Sequence, residues 1–322
     1  MTQIKRQYGP ARRPGELGVH SLDHFALTVP DMEKARAFYE AFGLDARSEG
    51  NALGLQTFNG LQRWGLLIEG PTKRMHHLSF GVFEDELDLF KRHVESVGVA
   101  LLDPPAGIPS NGLWFRDHDG MLIELRAAPK TSPDAKSSGQ FQSSPPGVAG
   151  APKRSQSPFI RPTRLAHCLL FTRDVPSAVS FYSRVLGLRL SDRSGDDIAF
   201  MHGIHGSDHH LIAFARSNAP GLHHCSWDVR SLDEIGLGAM QMVGKGYRDG
   251  WGLGRHVLGS NYFHYVRDPW GSYSEYSCDM DYIPVDQNWI AGNHDAEDAF
   301  YVWGPNPPQD WTHNHEADQQ KR

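Results

Sequence analysis

The sequence predicts an α+β fold in two domains, each a pair of βαβββ modules. Two observations carry this. The stretch AAPKTSPDAKSSGQFQSSPPGVAGAPKRSQSPFI, rich in Pro, Ser, Gly and Lys, has almost no apolar period and separates two halves. Each half then opens on one pattern: HFALTVPDMEKARAFYEAFGL from His24 and HCLLFTRDVPSAVSFYSRVLGL from His167. A length of 322 residues suits two domains of ~100–200 residues.

In both opening segments the histidine sits in a short apolar strand. An Asp seven positions on (Asp31, Asp174) starts a helix, a Phe-Tyr pair ends fifteen positions on (Tyr39, Tyr182), and a Gly stops it. Ala178, Phe181, Tyr182 and Val185 make the apolar stripe of the second helix. A second pair of segments, RMHHLSFGVFEDELDLFKRHVESVG from Arg74 and GLHHCSWDVRSLDEIGLGAMQMVGKG from Gly221, reads strand then helix again. Each runs on to a hairpin-like stretch in which Asp117, Gly120 and Glu124 recur as Asp268, Gly271 and Glu275. The result is four units of roughly 50 residues, paired because one unit cannot bury its own face. The expected boundaries are 1–126 for the N-terminal domain, 127–160 for the linker, 161–280 for the C-terminal domain and 281–322 for an arm.

Composition narrows the function. With 32 Lys+Arg against 38 Asp+Glu, the net charge of −6 is mild and dispersed, a poor match to a phosphate backbone, so no nucleic-acid partner is expected. No apolar run approaches the ~20 residues that span a membrane. MTQIKRQYGPARRPGELG has no apolar core of a secretory signal, and a cytoplasmic location is expected. Three cysteines without a CxxC pair argue against a disulfide framework and a thiolate zinc site.

Histidine carries the chemistry. His167, His224 and Glu275 lie in predicted strands at corresponding points of their repeated units. Two imidazoles and a carboxylate form the facial triad that leaves three positions open on non-haem Fe(II), and the same donors suit Mn(II). Strand alternation puts His167 on one face with Leu169 and Phe171, and Cys168, Cys225 and Cys278 on the other as packing thiols. His210 stands fourteen positions before His224, His256 follows the Gly-rich GWGLGRH, and Tyr265 falls nine after His256 and ten before Glu275. Between Tyr265 and Glu275, Asp268-Pro269-Trp270-Gly271 suits a type I turn that folds Tyr265 back beside the Glu275 strand. The first half keeps a possible triad in His24, His77 and Glu124. Arg63 stands there in the place of His210, and Trp114 in that of Tyr265.

The segment GRHVLGSNYFHYVRDPWGSYSE closely resembles the signature of type I extradiol ring-cleaving dioxygenases of the vicinal oxygen chelate superfamily, the catechol 2,3-dioxygenase-like enzymes. It matches at Gly254, Arg255, His256, Tyr265, Asp268, Pro269, Gly271 and Glu275, and departs at His264; the resemblance extends over roughly residues 20–280. It implies a cupped mixed sheet around a central cavity in each domain, with Fe(II) on His167, His224 and Glu275. His210 is then the acid–base group beside the dioxygen site, a role that asks for a pKa near neutral, and His256 and Tyr265 bond the substrate oxygens. The implied reaction is extradiol (meta) cleavage of a catecholic aromatic by O2 to a muconic semialdehyde-type product, in a homo-oligomer with a silent N-terminal half. In relatives that take carboxylate-bearing catechols an Arg stands five positions before His256; here it is Trp251. Trp251, Tyr247 and His202 therefore predict an aromatic-lined pocket for an apolar or hydroxylated ring. The arm, with Trp289, Phe300, Tyr301, Trp303 and Trp311, reads as a lid over the site or a strap onto a neighbouring subunit, with His294, His313 and His315 solvated rather than ligands. The alternatives are cleavage of a hydroquinone or trihydroxybenzene at the same metal, or a glyoxalase-like lyase or binding protein; the last two have no need of His210, His256 and Tyr265.

Overall fold

The computed structural model describes residues 9–137 and 143–319. Residues 1–8, which begin the segment read for a secretory signal, and 138–142 of the linker lie outside the described residues. The first half runs β1 (Ser21–Val29), α1 (Met32–Phe42), β2 (Asp45–Glu49), β3 (Ala52–Gln56), β4 (Arg63–Glu69), β5 (Arg74–Val82), α2 (Leu87–Ser96), β6 (Leu113–Arg116) and β7 (Leu122–Ala127). The second runs β8 (Arg164–Thr172), α3 (Val175–Leu186), β9 (Arg189–Ser194), β10 (Ile198–His202), β11 (Ser207–Asp208), β12 (Ile212–Arg216), β13 (Gly221–Asp228), α4 (Leu232–Gly244), β14 (Gly250–His256), β15 (Tyr262–Arg267) and β16 (Tyr273–Cys278). The arm adds β17 (Tyr282–Ile283), β18 (Gly292–Asn293), the one-turn α5 (Ala296–Ala299) and β19 (Tyr301–Trp303). Among the described residues no helix is long and apolar enough to cross a membrane.

The sheets repeat one another. The first is ordered β2-β3-β4-β1-β5-β7-β6, and the second carries the same order as β9-β10-β12-β8-β13-β16-β15, extended by β14, β18 and β19. The second module of the first half departs from the expected βαβββ. Where its counterpart has β14, it keeps only the bridge Leu102↔Trp114. The stretch LLDPPAGIP explains this, since its prolines lack the N–H a ladder needs.

The helices begin and end as their sequences suggest. Asp31 and Asp174 cap α1 and α3 with matching backbone angles (φ −145°, ψ 100°), each side chain accepting from a backbone N–H three residues on. Gly43 (φ +101°) and Gly187 (φ +72°) stop them, and here only glycine serves twice over. A Cβ on Gly43 would lie 2.1 Å from Ile160 O, and one on Gly187 2.4 Å from Leu17 O. The segments leading into β8 and β1 thus each run over the helix end of the other half.

That exchange continues inside. Phe42 of α1 stacks on Tyr276 of β16 (3.9 Å, 4°), whose hydroxyl donates to Phe42 O at 2.7 Å. Tyr182 of α3 donates to Asp117 in the other half at 3.0 Å. One apolar cluster runs from Val19 to Cys278 through both halves, and it takes in Cys168, Cys225 and Cys278.

Two buried histidines tie the entry segment down. His205 accepts from Arg13 N at Nδ1 and donates from Nε2 to Gly18 O, both at 3.0 Å, so both ring nitrogens are used only in the neutral ring. Burial pushes His205, and likewise His20, down to about 4. A folded-state pKa below the unfolded value of ~6.5 means the unfolded chain takes up the proton first, on the order of 3 kcal/mol per ring when complete. Folding stability is therefore full above pH ~6.5 and is lost as pH falls from there toward about 4. Denaturant titrations at pH 7, 6, 5 and 4 check this; an unfolding free energy constant down to pH 4 contradicts it.

Candidate metal centre and active site

Three neighbouring strands present the triad. β8, β13 and β16 are adjacent in the sheet, and Ser226 of β13 registers against both His167 on β8 and Glu275 on β16. The donor atoms converge: His167 Nε2 to His224 Nε2 is 3.2 Å, and Glu275 Oε2 lies 3.3 Å from His167 Nε2 and 3.6 Å from His224 Nε2. All three side chains are buried. Edges of this size suit three donors at metal bonds of ~2.0–2.2 Å. Glu275 Oε2 is buried with no hydrogen-bond partner, while Oε1 accepts from Asn261 Nδ2 at 3.1 Å. A buried carboxylate oxygen left unpaired among two imidazole nitrogens fits a divalent N/O-ligated ion such as Fe(II) or Mn(II).

His210, His256 and Tyr265 gather around the triad. Tyr265 registers directly opposite Glu275 on β15, as the turn through Asp268–Gly271 requires. His210 lies in the irregular residues just before β12 rather than on a strand, with its ring 4.1 Å from that of His167. His256 ends β14, and its Nε2 pairs with the Tyr265 hydroxyl at 2.9 Å. Burial, then the neighbouring imidazoles, hold His210 well below the ordinary histidine value, rather than near neutral as its expected role asks. It is thus a neutral ring with a free lone pair. Burial, then the Glu275 charge, raise Tyr265 well above 10, so it stands as a phenol donor.

Backbone contacts from the arm fix which nitrogen of each ring faces the centre. A carbonyl can only accept, so His256 Nδ1–H donates to Phe300 O (3.0 Å), and Nε2 accepts from Tyr265. In the same way His223 Nε2–H donates to Trp311 O (2.9 Å); its Nδ1 then accepts from His224 Nδ1–H (2.8 Å), which leaves the His224 Nε2 lone pair free toward His167 and Glu275. A third chain runs from Asp192. Its Oδ2 accepts from His209 Nε2–H (2.8 Å), and His209 Nδ1 accepts from His210 Nδ1–H (3.1 Å), so His210 presents Nε2. Asp192 is held in turn by Gly292 N (2.7 Å) and His294 Nε2 (3.0 Å) of the arm, so His294 is bonded rather than merely solvated. His223 reaches the cavity side beside His224 because the β8–β13 register shifts between Leu222 and His224, a bulge that strict alternation does not reveal. His223→Phe keeps the ring packing against Trp311 (4.6 Å) but removes the acceptor for His224. Metal affinity is expected to fall ~10–100-fold, read by equilibrium dialysis against Fe(II) or Mn(II); wild-type affinity contradicts the chain of bonds.

These groups open onto a cavity of about 470 Å³. Its apolar wall includes Leu169, Phe171, Ile198, Phe200 and Leu258, and the arm contributes Phe300 and Trp311 to it. Arg216 also lines it, with its guanidinium held by Asp196 O (2.9 Å) and the Asp197 carboxylate (3.2 Å). The three residues expected to line the pocket do not. Trp251 stacks behind Tyr265 (5.6 Å, 12°) and donates to Pro305 O, which places it between the pair and the arm. His202 is buried against Ser191 Oγ (2.8 Å), turned from the cavity by a register shift after Phe200. Tyr247 packs edge-on against Phe38 of α1 and does not reach the cavity wall. His264 is likewise absent from the cavity wall, on the face of β15 opposite Tyr265. Asn261 went unread in the sequence, although Ser110 stands at the same offset, fourteen positions before Glu124.

Comparison with known proteins places this geometry. The model of the Glyoxalase/Bleomycin resistance protein/Dioxygenase superfamily matches residues 21–125 and 164–276. Over 314 residues the chain is 48% identical to Metapyrocatechase 2 of Cupriavidus necator, covering 97% of each chain. Homoprotocatechuate 2,3-dioxygenase from Brevibacterium fuscum, solved with 3,4-dihydroxyphenylacetate, superposes with a TM-score of 0.74 at 22% identity, covering 97% of this chain and 95% of that one. The Mn(II)-bound glyoxalase from Novosphingobium aromaticivorans gives 0.73 at 24% identity, covering 91% and 94%. At those two identities the likeness is one of fold.

Proposed function

This chain belongs to the Glyoxalase/Bleomycin resistance protein/Dioxygenase superfamily, and from that premise we infer that its C-terminal half is an extradiol dioxygenase that opens the ring of a catechol. Both atoms of O2 enter the product, a muconic semialdehyde-type compound of aromatic catabolism. The observation that carries this reading is the meeting of the His167–His224–Glu275 triad with His210, His256 and Tyr265 at one cavity, in a chain 48% identical to a metapyrocatechase over almost its whole length.

Fe(II), held by His167, His224 and Glu275, supplies Lewis acidity toward the catechol oxygens and the electron exchange with O2, with Mn(II) suited by the same donors. The chain's own groups manage protons and orientation. Tyr265, kept a phenol, donates its hydroxyl hydrogen to a substrate oxygen when substrate displaces its bond to His256. His256, anchored by Phe300 O, keeps Nε2 toward the same oxygen as an acceptor. His210 Nε2 takes the proton released as the catechol is bound and returns it to oxygen as the ring opens. The apolar walls and the arm exclude water from these transfers.

The substrate fits the cavity rather than a salt bridge. Arg216 is already paired and Trp251 is withdrawn, so the cavity offers an apolar substituent its best contacts. A volume of about 470 Å³ leaves room for a substituted ring. The mild, dispersed charge and the family support a cytoplasmic homo-oligomer whose partners are a small catechol and O2, with neither nucleic acid nor membrane.

The test is oxygen uptake by anaerobically purified, Fe(II)-loaded protein with catechol, 3- and 4-substituted catechols, 2,3-dihydroxybiphenyl, hydroquinone and 1,2,4-trihydroxybenzene. Uptake with a yellow ring-fission product from a catechol is expected, with apolar-substituted catechols fastest. Uptake confined to hydroquinone or trihydroxybenzene moves the assignment to that chemistry, and silence with iron bound overturns it.

A further inference from the structure

We propose that the N-terminal half holds a second divalent metal ion, on His24, His77 and Glu124, in a site closed to substrate. The three side chains are buried, and their donor atoms all lie within 4.8 Å of one another. His24 Nε2 faces His77 Nε2 at 3.3 Å, against 3.2 Å for the matching pair in the C-terminal half. β1, β5 and β7 deliver them as β8, β13 and β16 deliver the other triad, with Ser79 registered against Glu124 as Ser226 is against Glu275. Even the bulge is repeated. The β1–β5 register shifts between Ala26 and Leu27, stepping over His76, whose Nδ1 pairs with His77 Nδ1 at 2.8 Å as His223 pairs with His224.

The outer support is in one respect better than at the catalytic triad. His24 Nδ1 bonds the buried Asp23 carboxylate at 2.7 Å, whereas His167 Nδ1 is buried with no partner. A carboxylate on Nδ1 holds the proton there and leaves Nε2 bare and more basic, the arrangement that orients metal-bound imidazoles. Asp23 and Glu124 are two buried carboxylates, one on His24 Nδ1 and one in the donor cluster. Arg126 lies 3.8 Å from Asp23, while Glu124 is met by the hydroxyls of Ser79 (2.5 Å) and Ser110 rather than by a cation. Each Glu124 oxygen keeps a lone pair after one such bond, so the serines aim the carboxylate without filling it. A dication answers the remaining charge.

The same structure denies this ion a substrate. Trp114, 1% exposed, packs edge-on to His77 at 4.9 Å in the place of Tyr265. Arg63 occupies the place of His210 and is spent on Glu49 at 2.9 Å. Neither can move a proton at the ion, so the site binds without turning over.

The experiment counts metal per chain in full-length protein reconstituted anaerobically with Fe(II) and desalted. Two ions are expected in wild type, one in H24A/H77A with turnover retained, and one in H167A with turnover lost. A single ion in wild type that disappears in H167A overturns the proposal. Should H24A/H77A fail to fold, crystals of the wild-type protein loaded with Mn(II) decide it: anomalous density between His24 and His77 supports the site, and density at the C-terminal triad alone overturns it. The metal counts and the anomalous density do not require the enzyme to cleave a ring, so a silent substrate panel leaves this inference standing.

Discussion

His210→Ala lowers kcat by ~10²–10⁴-fold while metal content stays at the wild-type level. The residue lies outside the triad, so its loss removes no ligand. What it removes is the one lone pair at the cavity that the Asp192–His209 chain aims inward. Because burial keeps the ring neutral, it enters the reaction as an acceptor, and alanine leaves the catechol proton without a destination. KM should move little, since His210 orients no substrate oxygen. Oxygen uptake across a range of catechol concentrations, with iron measured on the same samples, reads both quantities. A kcat within tenfold of wild type, iron intact, removes His210 from the acid–base role. A fall in iron instead makes it a structural support of His167, on which its ring packs at 4.1 Å.

Glu275→Gln has the larger effect on the metal. Glutamine preserves volume but trades the orphaned Oε2 for a neutral amide, whose N–H₂ would point at two ligand lone pairs. Affinity should fall by more than the ~10–100-fold that losing an outer partner costs, and ring cleavage should disappear with it. Stability gives a second readout. In metal-free protein Oε2 has no hydrogen bond to lose, so the variant is expected to unfold at no lower denaturant concentration than wild type. In metal-loaded protein wild type is expected to gain ~2.7 kcal/mol more than the variant when free metal is a hundredfold above the Kd of the C-terminal triad. Equal stabilisation of both by metal would show that Glu275 is not a ligand.

Much of this was legible in the sequence, and the reason is local. A strand alternates with period two and a helix starts at an Asp and stops at a Gly, so two copies of one pattern reveal their elements and ligands together. His167, His224 and Glu275 converge because each holds the same place in its unit. Tyr265 follows from a four-residue turn. The pocket was not legible. Trp251 and His202 have the right chemistry for a wall, but a register shift and a covering arm turned both away. A residue's type does not encode such shifts.

The repeat, the α+β class and the shared positions of His167, His224 and Glu275 were readable from the sequence, since these depend on spacings within a few tens of residues. Which nitrogen of each histidine faces the centre, and what closes the cavity, depend on tertiary packing. Those outcomes rest on contacts between segments far apart in the chain: Trp311 O to His223 across 88 residues, Phe300 O to His256 across 44, and His294 to Asp192 across 102. An imidazole has two nearly equivalent nitrogens, and the tautomer is chosen by whichever partner packing brings to one of them. That partner is a backbone carbonyl or a distant carboxylate, and no local pattern announces either.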